Sequence, residues 1–253
     1  MSPEIIILLI GLVALMALGI PICFALMSVA SAILLIFFGP AQMNVLNAAF
    51  VNQMQSESLL AIPMFVLMAA FLQTSGIGSD IYEFFHKWLG GVKGGLAMAT
   101  VATTAVIAAM SGVAATATIA MGLIALPEMI NRGYDKSLAC GPVLAGGCLG
   151  PIIPPSTIMI IMASYTGVSA GWLFVGGVLP GVGLAILFII YIGVRCAINP
   201  KLGPAIPKAE RPSWGEKFRV FGKVVAPIAI IVLVLGCIYA GVATPTEAAG
   251  VGA

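Results

Sequence analysis

Two stretches of this chain set hydroxyls, glycines and prolines inside otherwise apolar sequence. One is Gly150-Pro151-Ile152-Ile153-Pro154-Pro155-Ser156; the other is Ser111-Gly112, with Thr116 and Thr118 just beyond it. Three prolines within five residues cannot continue an α-helix, because each lacks an N–H and clashes with the preceding turn. Apolar, Ala/Gly-rich sequence flanks the prolines from Leu138 to Leu149 and from Thr157 to Ala163. A helix broken in lipid leaves backbone groups unpaired, which is tolerated only against protein or a polar cavity. The chemistry on offer is binding of an ion or a polar substrate at mid-membrane depth. Catalysis is poorly served. No Asp, Glu, His, Lys or Arg lies between Gly94 and Pro127, and neither HExxH nor GxSxG occurs. An intramembrane enzyme would need paired ionisable groups at that depth.

The elements that position these stretches must be membrane helices. The chain is 61% hydrophobic and 8% charged, against about 25% charged in a soluble domain. It reads as an all-α polytopic membrane protein in contact with the lipid bilayer, with no feature calling for nucleic acid. All eleven basic residues fall into three clusters: Lys87 and Lys93; Arg132 and Lys136; and seven residues from Arg195 through Lys208 to Lys223. Cytoplasmic loops attract Lys and Arg, so all three clusters should share the cytoplasmic side. An even number of crossings must separate them. The five cysteines are scattered without a CxxC, and His86 is the one histidine, so zinc and disulfides are not expected. Glu4 and the lack of a basic start argue against a cleaved signal peptide.

Residues 5–38 are apolar and interrupted at Gly19-Ile20-Pro21, so they form two short crossings or one long kinked helix. The polar, base-free stretch 39–57 suits the periplasm, and 58–74 cross. Residues 79–90 place Ile81, Phe84, Phe85, Trp88 and Leu89 on one helical face. This predicts an amphipathic helix on the cytoplasmic surface, capped by Ser79 or Asp80. Segment 94–131 leaves the cytoplasm and returns. Two full crossings would do this, as would a re-entrant hairpin, which the polar tip at Ser111-Gly112 favours. Residues 137–168 cross once through the proline break, and 170–194 cross back. Ser213 to Glu216 matches a capping box opening a short surface helix with Trp214, Phe218 and Phe221, after which 224–242 cross again. Glu128 and Arg132 form an i,i+4 surface pair, and His86 is expected as a solvated interfacial residue. Glu57 and Glu247 border periplasmic ends, where either could meet a partner. Segment 226–253 resembles segment 2–32 in outline, each with a helix, a Gly/Pro break and an Ala-rich helix. A helix has barely begun where the chain ends, so the chain reads as part of a longer fold: a first repeat plus the start of a second, inverted one.

Four stretches together resemble the large membrane subunit of tripartite ATP-independent periplasmic (TRAP) transporters: Ser58-Leu-Leu-Ala-Ile-Pro-Met-Phe65; Ser111-Gly112 with Thr116-Ala-Thr118 and Ile124-Ala-Leu-Pro-Glu128; Gly150 to Ser156; and Thr244-Pro-Thr-Glu-Ala-Ala249. The resemblance implies an elevator-type fold. Residues 1–92 would be scaffold helices and an amphipathic arm, and 93–168 part of the transport domain. Residues 169–223 would be a crossing and cytoplasmic linker, and 224–253 the start of the second repeat. It implies a permease subunit in a bacterial inner membrane, not an enzyme, importing small organic anions such as dicarboxylates or sugar acids. A small four-helix membrane subunit and a periplasmic solute-binding protein would be its partners. A stand-alone sodium/carboxylate symporter is the alternative. No cofactor is implied beyond sodium as coupling ion. Sodium wants hard oxygen ligands, which Ser111 Oγ, Ser156 Oγ and carbonyls near Gly150 and Pro151 would supply. Gly112, Thr116, Thr118, Pro154 and Pro155 complete the expected binding region. The positive ends of half-helices starting near Val113 and Pro155 would attract a substrate carboxylate.

Overall fold

The structure, a computed structural model, describes residues 3–207 and 210–253, apart from the side chains of Glu57, Leu72 and Gln73. Lys208 and the Glu57 side chain, both singled out above, lie outside the described residues. The described residues form helices without strands. They fall into two compact units, one ending at Ser56 and the other running from Glu57 to Ala253.

In the first unit, α1 (Pro3–Ala17) and α2 (Ile22–Ile33) flank the Gly19-Ile20-Pro21 break. Gly19 takes φ +82°. Its N–H donates to Met16 O at 3.0 Å, and the Ile20 N–H donates to Leu15 O at 3.1 Å. These are the two bonds of a Schellman cap, which ends a helix and turns the chain away. The turn folds α2 back along α1, so closely that a Cβ at Gly11 would lie 3.0 Å from Val29 Cγ2. Residues 5–38 are therefore a pair of helices, not one long kinked helix. A wider π turn, Leu34–Phe38, extends α2. The polar stretch that follows is itself largely helical, as α3 (Met43–Met54).

The second unit holds α4 (Glu57–Thr74), α5 (Ile77–Leu89), α6 (Gly95–Ser111), α7 (Ala114–Asn131), α8 (Lys136–Gly147), α9 (Thr157–Thr166), α10 (Ala170–Ile198), α11 (Trp214–Tyr239) and α12 (Pro245–Gly252). Among the described residues, α7, α10 and α11 are individually long and apolar enough to cross a membrane. One core gathers α6, α7, α8 and the later turns of α10 around Leu96, Val101, Met121 and Met129; the other gathers α4, α5, α9, the start of α10, α11 and α12 around Phe65, Ile160, Phe174 and Val234.

Three expectations need correction. Helix α5 starts at Ile77 behind Gly76, which is left-handed and offers no side-chain cap, so neither Ser79 nor Asp80 is the cap. Its apolar face packs on protein: Ile81 and Tyr82 are buried, and Phe84 and Trp88 meet Phe221 and Phe218 of α11. Neighbouring helices cover most of the stripe that an isolated amphipathic helix would offer to lipid, and Trp88 at its end stays exposed. The third correction concerns 213–242. The Ser213–Glu216 capping box forms, but no break separates a surface helix from a crossing. Helix α11 runs unbroken through Pro227 for 26 residues, or about 39 Å.

The basic clusters converge. Gly94 N–H donates to Gly203 O, Asp135 N–H to Leu202 O and Ile206 N–H to Gly90 O, each at 2.9–3.0 Å. Arg132 Nη1 lies 3.0 Å from Glu210, and Lys223 Nζ lies 2.9 Å from Asp80 and 3.2 Å from Glu83. The described residues of all three clusters thus gather at one end of the unit, as positive-inside topology requires.

Candidate functional site

Helices α6 and α7 form a helical hairpin joined by Gly112 and Val113 alone. Gly112 has φ +63°, and its N–H donates to Ala108 O at 2.8 Å. Only glycine takes that backbone state without a steric penalty from Cβ. Space imposes glycine a second time. A Cβ there would lie 2.8 Å from Pro155 O and 3.1 Å from Thr157 N. The hairpin tip is thus seated, backbone against backbone, on the proline break.

The break comprises the nine residues between α8 and α9, with a cis bond between Pro154 and Pro155. Gly150 faces the tip from the other side. A Cβ on it would sit 3.2 Å from Ala114 N and 3.3 Å from Val113 C, at the start of α7. Upstream, Gly146 and Gly147 let α8 lie against Thr104 of α6 and Thr118 of α7. The expected pairing of Ser111-Gly112 with Gly150–Ser156 is therefore present as direct backbone contact. Two helix N-termini, those of α7 and α9, meet at this contact with the C-terminus of α6. Unpaired N–H and C=O groups concentrate at such ends.

Both expected serines are buried, Ser111 at 1% exposure and Ser156 at 0%. Ser156 Oγ donates to Pro151 O at 2.8 Å and accepts from Met159 N–H at 3.4 Å, so it bridges the break and caps α9. Ser111 Oγ lies 3.2 Å from Val113 O and 3.4 Å from Ala108 O. Thr118 Oγ1 donates to Ala114 O at 2.9 Å within its own helix. Thr116 and Ser111 instead line a cavity of about 470 Å³ between the hairpin and the segment from Ala69 to Ser79. Pro154 and Pro155 are buried beneath the tip. Thr157, which no sequence motif marks, joins them. Its Oγ1 donates to Gly112 O at 3.1 Å, the one side-chain hydrogen bond described between tip and break. Its place directly after the break was the available signal. The result is a dense set of oxygens without a formal charge. Among the described residues no three His, Cys, Asp or Glu side chains gather as a transition-metal site would need.

Charged groups collect instead at the base of the hairpin. Arg132 Nε lies 3.3 Å from Glu128, as the i,i+4 spacing foretold, and Glu210 holds the guanidinium pKa above its ordinary value. His86 is not a freely solvated residue. Its Nδ1 lies 3.5 Å from Glu128, with 20% of the side chain exposed. Burial lowers its pKa, and Glu128 opposes that shift. Glu247 is engaged as well: its carboxylate accepts from Thr244 N–H at 2.8 Å and from Thr244 Oγ1 at 2.9 Å in the capping box that starts α12.

Residues 9–253 match the family described as "Tripartite ATP-independent periplasmic transporter, DctM component". The chain is 35% identical to the C4-dicarboxylate TRAP transporter large permease protein DctM of Vibrio cholerae, over 97% of this chain and 53% of that protein. It is 31% identical to the ectoine TRAP transporter large permease protein TeaC of Halomonas elongata, over 94% of this chain and 55% of that one. It is 30% identical to the 2,3-diketo-L-gulonate TRAP transporter large permease protein YiaN of Escherichia coli, over 94% and 54%. The chain spans about half the length of these relatives.

Proposed function

Because this chain belongs to the DctM family of TRAP transporter permease components, a family of membrane transport proteins rather than enzymes, we propose that it supplies part of the permease of a sodium-coupled importer. On this reading the importer depends on a periplasmic binding protein and a small four-helix membrane subunit. It works in a bacterial inner membrane by an elevator movement. Its substrate is a small organic anion, the class to which the dicarboxylate and diketogulonate named for two relatives belong.

The observation that carries this reading is the seat of the hairpin tip on the proline break. The contact joins a helical hairpin to an interrupted helix, and its polar atoms are neutral hydroxyls and backbone groups. Sodium suits such oxygens. Ser111 Oγ, Ser156 Oγ and the carbonyls of Gly112 and Pro151 are the ligands we assign, with small rotations of the hydroxyls freeing the carbonyls. The N-termini of α7 and α9 carry partial positive charge and would draw the anion's carboxylate to the same place. Thr116 and the adjoining cavity give it room. The two Gly/Pro turns are alike, as an internal repeat would have them. Gly241 N–H donates to Ile238 O at 3.1 Å and Val242 N–H to Cys237 O at 3.0 Å, the same capping pair made by Gly19 and Ile20.

The test is uptake into proteoliposomes by the complete transporter containing this segment, with its small subunit and binding protein. A panel of dicarboxylates and sugar acids is offered with and without an inward sodium gradient. Uptake should require both sodium and the binding protein. Ser111→Ala should raise the sodium concentration needed for half-maximal uptake. Uptake indifferent to sodium would remove the coupling ion from the scheme, and uptake without the binding protein would favour a stand-alone symporter.

A further inference from the structure

A second cavity, of about 690 Å³, lies away from the hairpin tip, between α8 and α10. It is lined by one face of α8 from Ser137 to Ala145 and one face of α10 from Leu187 to Arg195. Each face covers eight residues beyond its first, so the groove runs about 12 Å along the helices. That is most of one leaflet's share of a hydrocarbon core about 30 Å thick. Small residues on α8, Gly141 and Ala145, hollow one wall, and Leu187 and Tyr191 form the other. At the cytoplasmic end Asp135 and Leu202, joined by a 3.0 Å bond from Asp135 N–H to Leu202 O, line the groove beside Arg195. Leu144, Leu187 and Tyr191 beside the groove are exposed at 59%, 61% and 61%.

The mouth of the groove carries the charge. Arg195, three residues from the end of α10, lines it and is exposed. Among the described residues its guanidinium has no ion-pair partner, unlike Arg132 and Lys223. The Asp135 carboxylate also lines the groove and faces α8, its Oδ1 accepting from Ser137 N–H at 3.0 Å and Leu138 N–H at 3.2 Å as the cap of that helix. Tyr191 sits one turn from Arg195 on the same face, with a hydroxyl to donate. An apolar slot about 12 Å long, with a guanidinium that has no ion-pair partner among the described residues and a phenol one turn from it, fits an amphiphile with an anionic head and an acyl tail.

We propose that the α8–α10 groove binds an anionic phospholipid of the cytoplasmic leaflet, its phosphate on Arg195 and Tyr191 and one acyl chain along Gly141 and Ala145. The broken helix then faces α10 partly through lipid. The proposal rests on the membrane topology and not on sodium coupling, so the uptake assay and the lipid assay fail independently.

Native mass spectrometry of the purified protein, incubated with either phosphatidylglycerol or phosphatidylcholine, counts the lipid retained. Phosphatidylglycerol should be retained in preference to phosphatidylcholine. Arg195→Gln should lower its retention about five-fold, since a surface cation facing an anionic headgroup contributes about 1 kcal/mol. Gly141→Leu should fill the hollow and abolish retention, whereas Arg219→Gln, an exposed cation on α11, should leave it unchanged. Equal retention of the two lipids, or an Arg195→Gln variant that holds phosphatidylglycerol as the wild type does, overturns the proposal. If circular dichroism shows Gly141→Leu to be misfolded, the surface substitution Arg195→Gln decides alone.

Discussion

Replacing Gly112 by alanine strikes the tip–break contact with a single methyl group. Two costs are separable. The first is backbone: a Cβ in the left-handed region costs roughly 1–2 kcal/mol, and Gly112 sits at φ +63°. The second is steric: the methyl would lie 2.8 Å from Pro155 O, 3.1 Å from Thr157 N and 3.4 Å from Ser156 Cα. These are backbone atoms of a buried segment that cannot rotate aside, and overpacking of this kind costs about 1–3 kcal/mol. Gly133 provides the control. It has φ +79° but nothing within 4 Å of its Cβ position, so Gly133→Ala incurs the backbone cost alone. We expect Gly133→Ala to destabilise the protein by about 1–2 kcal/mol and Gly112→Ala by about 2–5 kcal/mol. Denaturant titration in detergent, followed by circular dichroism, measures both. In the complete transporter, Gly112→Ala should also impair uptake and Gly133→Ala should not. Equal destabilisation by the two substitutions would refute the seated tip, because the steric term would then be missing.

Ser156→Ala removes both the bridge to Pro151 and the cap of α9. It should cost about 1 kcal/mol of stability in the same titration and raise the sodium concentration for half-maximal uptake. His86 sets a pH dependence. Burial lowers its folded pKa below 6.5, so between that folded value and 6.5 the unfolded chain holds more protons. Stability should therefore fall as pH drops through 6.5 towards the folded pKa, and rise again with pH. Thermal unfolding of His86→Gln should show a shallower loss on acidification than the wild type; an identical pH profile would mean that His86 titrates as if solvated.

What the sequence revealed depended on which atoms do the work. Proline and glycine act through their own covalent structure, so the proline break, the turn at Gly112 and the turn at Gly19 were legible to within a residue or two. The Ser213 capping box was legible for a similar reason: both partners lie within one turn. The clamp at the hairpin base was not, because its bonds to Gly90, Gly94 and Asp135 come from main-chain atoms that every residue carries. The partner of the α5 stripe was hidden as well. Amphipathic spacing says that a face must be covered but not by what, and Phe218 and Phe221 lie more than 100 residues away in the chain. The continuity of α11 was missed because its polar first turns and apolar body read as different environments, although a backbone helix passes between them without interruption. For the site, the sequence singled out the two serines but not Thr157, whose bond to Gly112 O exists only once the tip is seated.

The clamp at the base of the hairpin has a consequence for the order of assembly. Gly94 and Asp135 wait for Gly203 and Leu202, and Asp80 waits for a lysine 143 residues further on. At synthesis rates of about 5–20 residues per second, Gly94 stands without that partner for roughly 5–20 s. During that interval the hairpin has its own antiparallel packing and then α8 to hold it. The small, closely fitted faces of α6, α7 and α8 therefore serve the nascent chain before they serve the finished one.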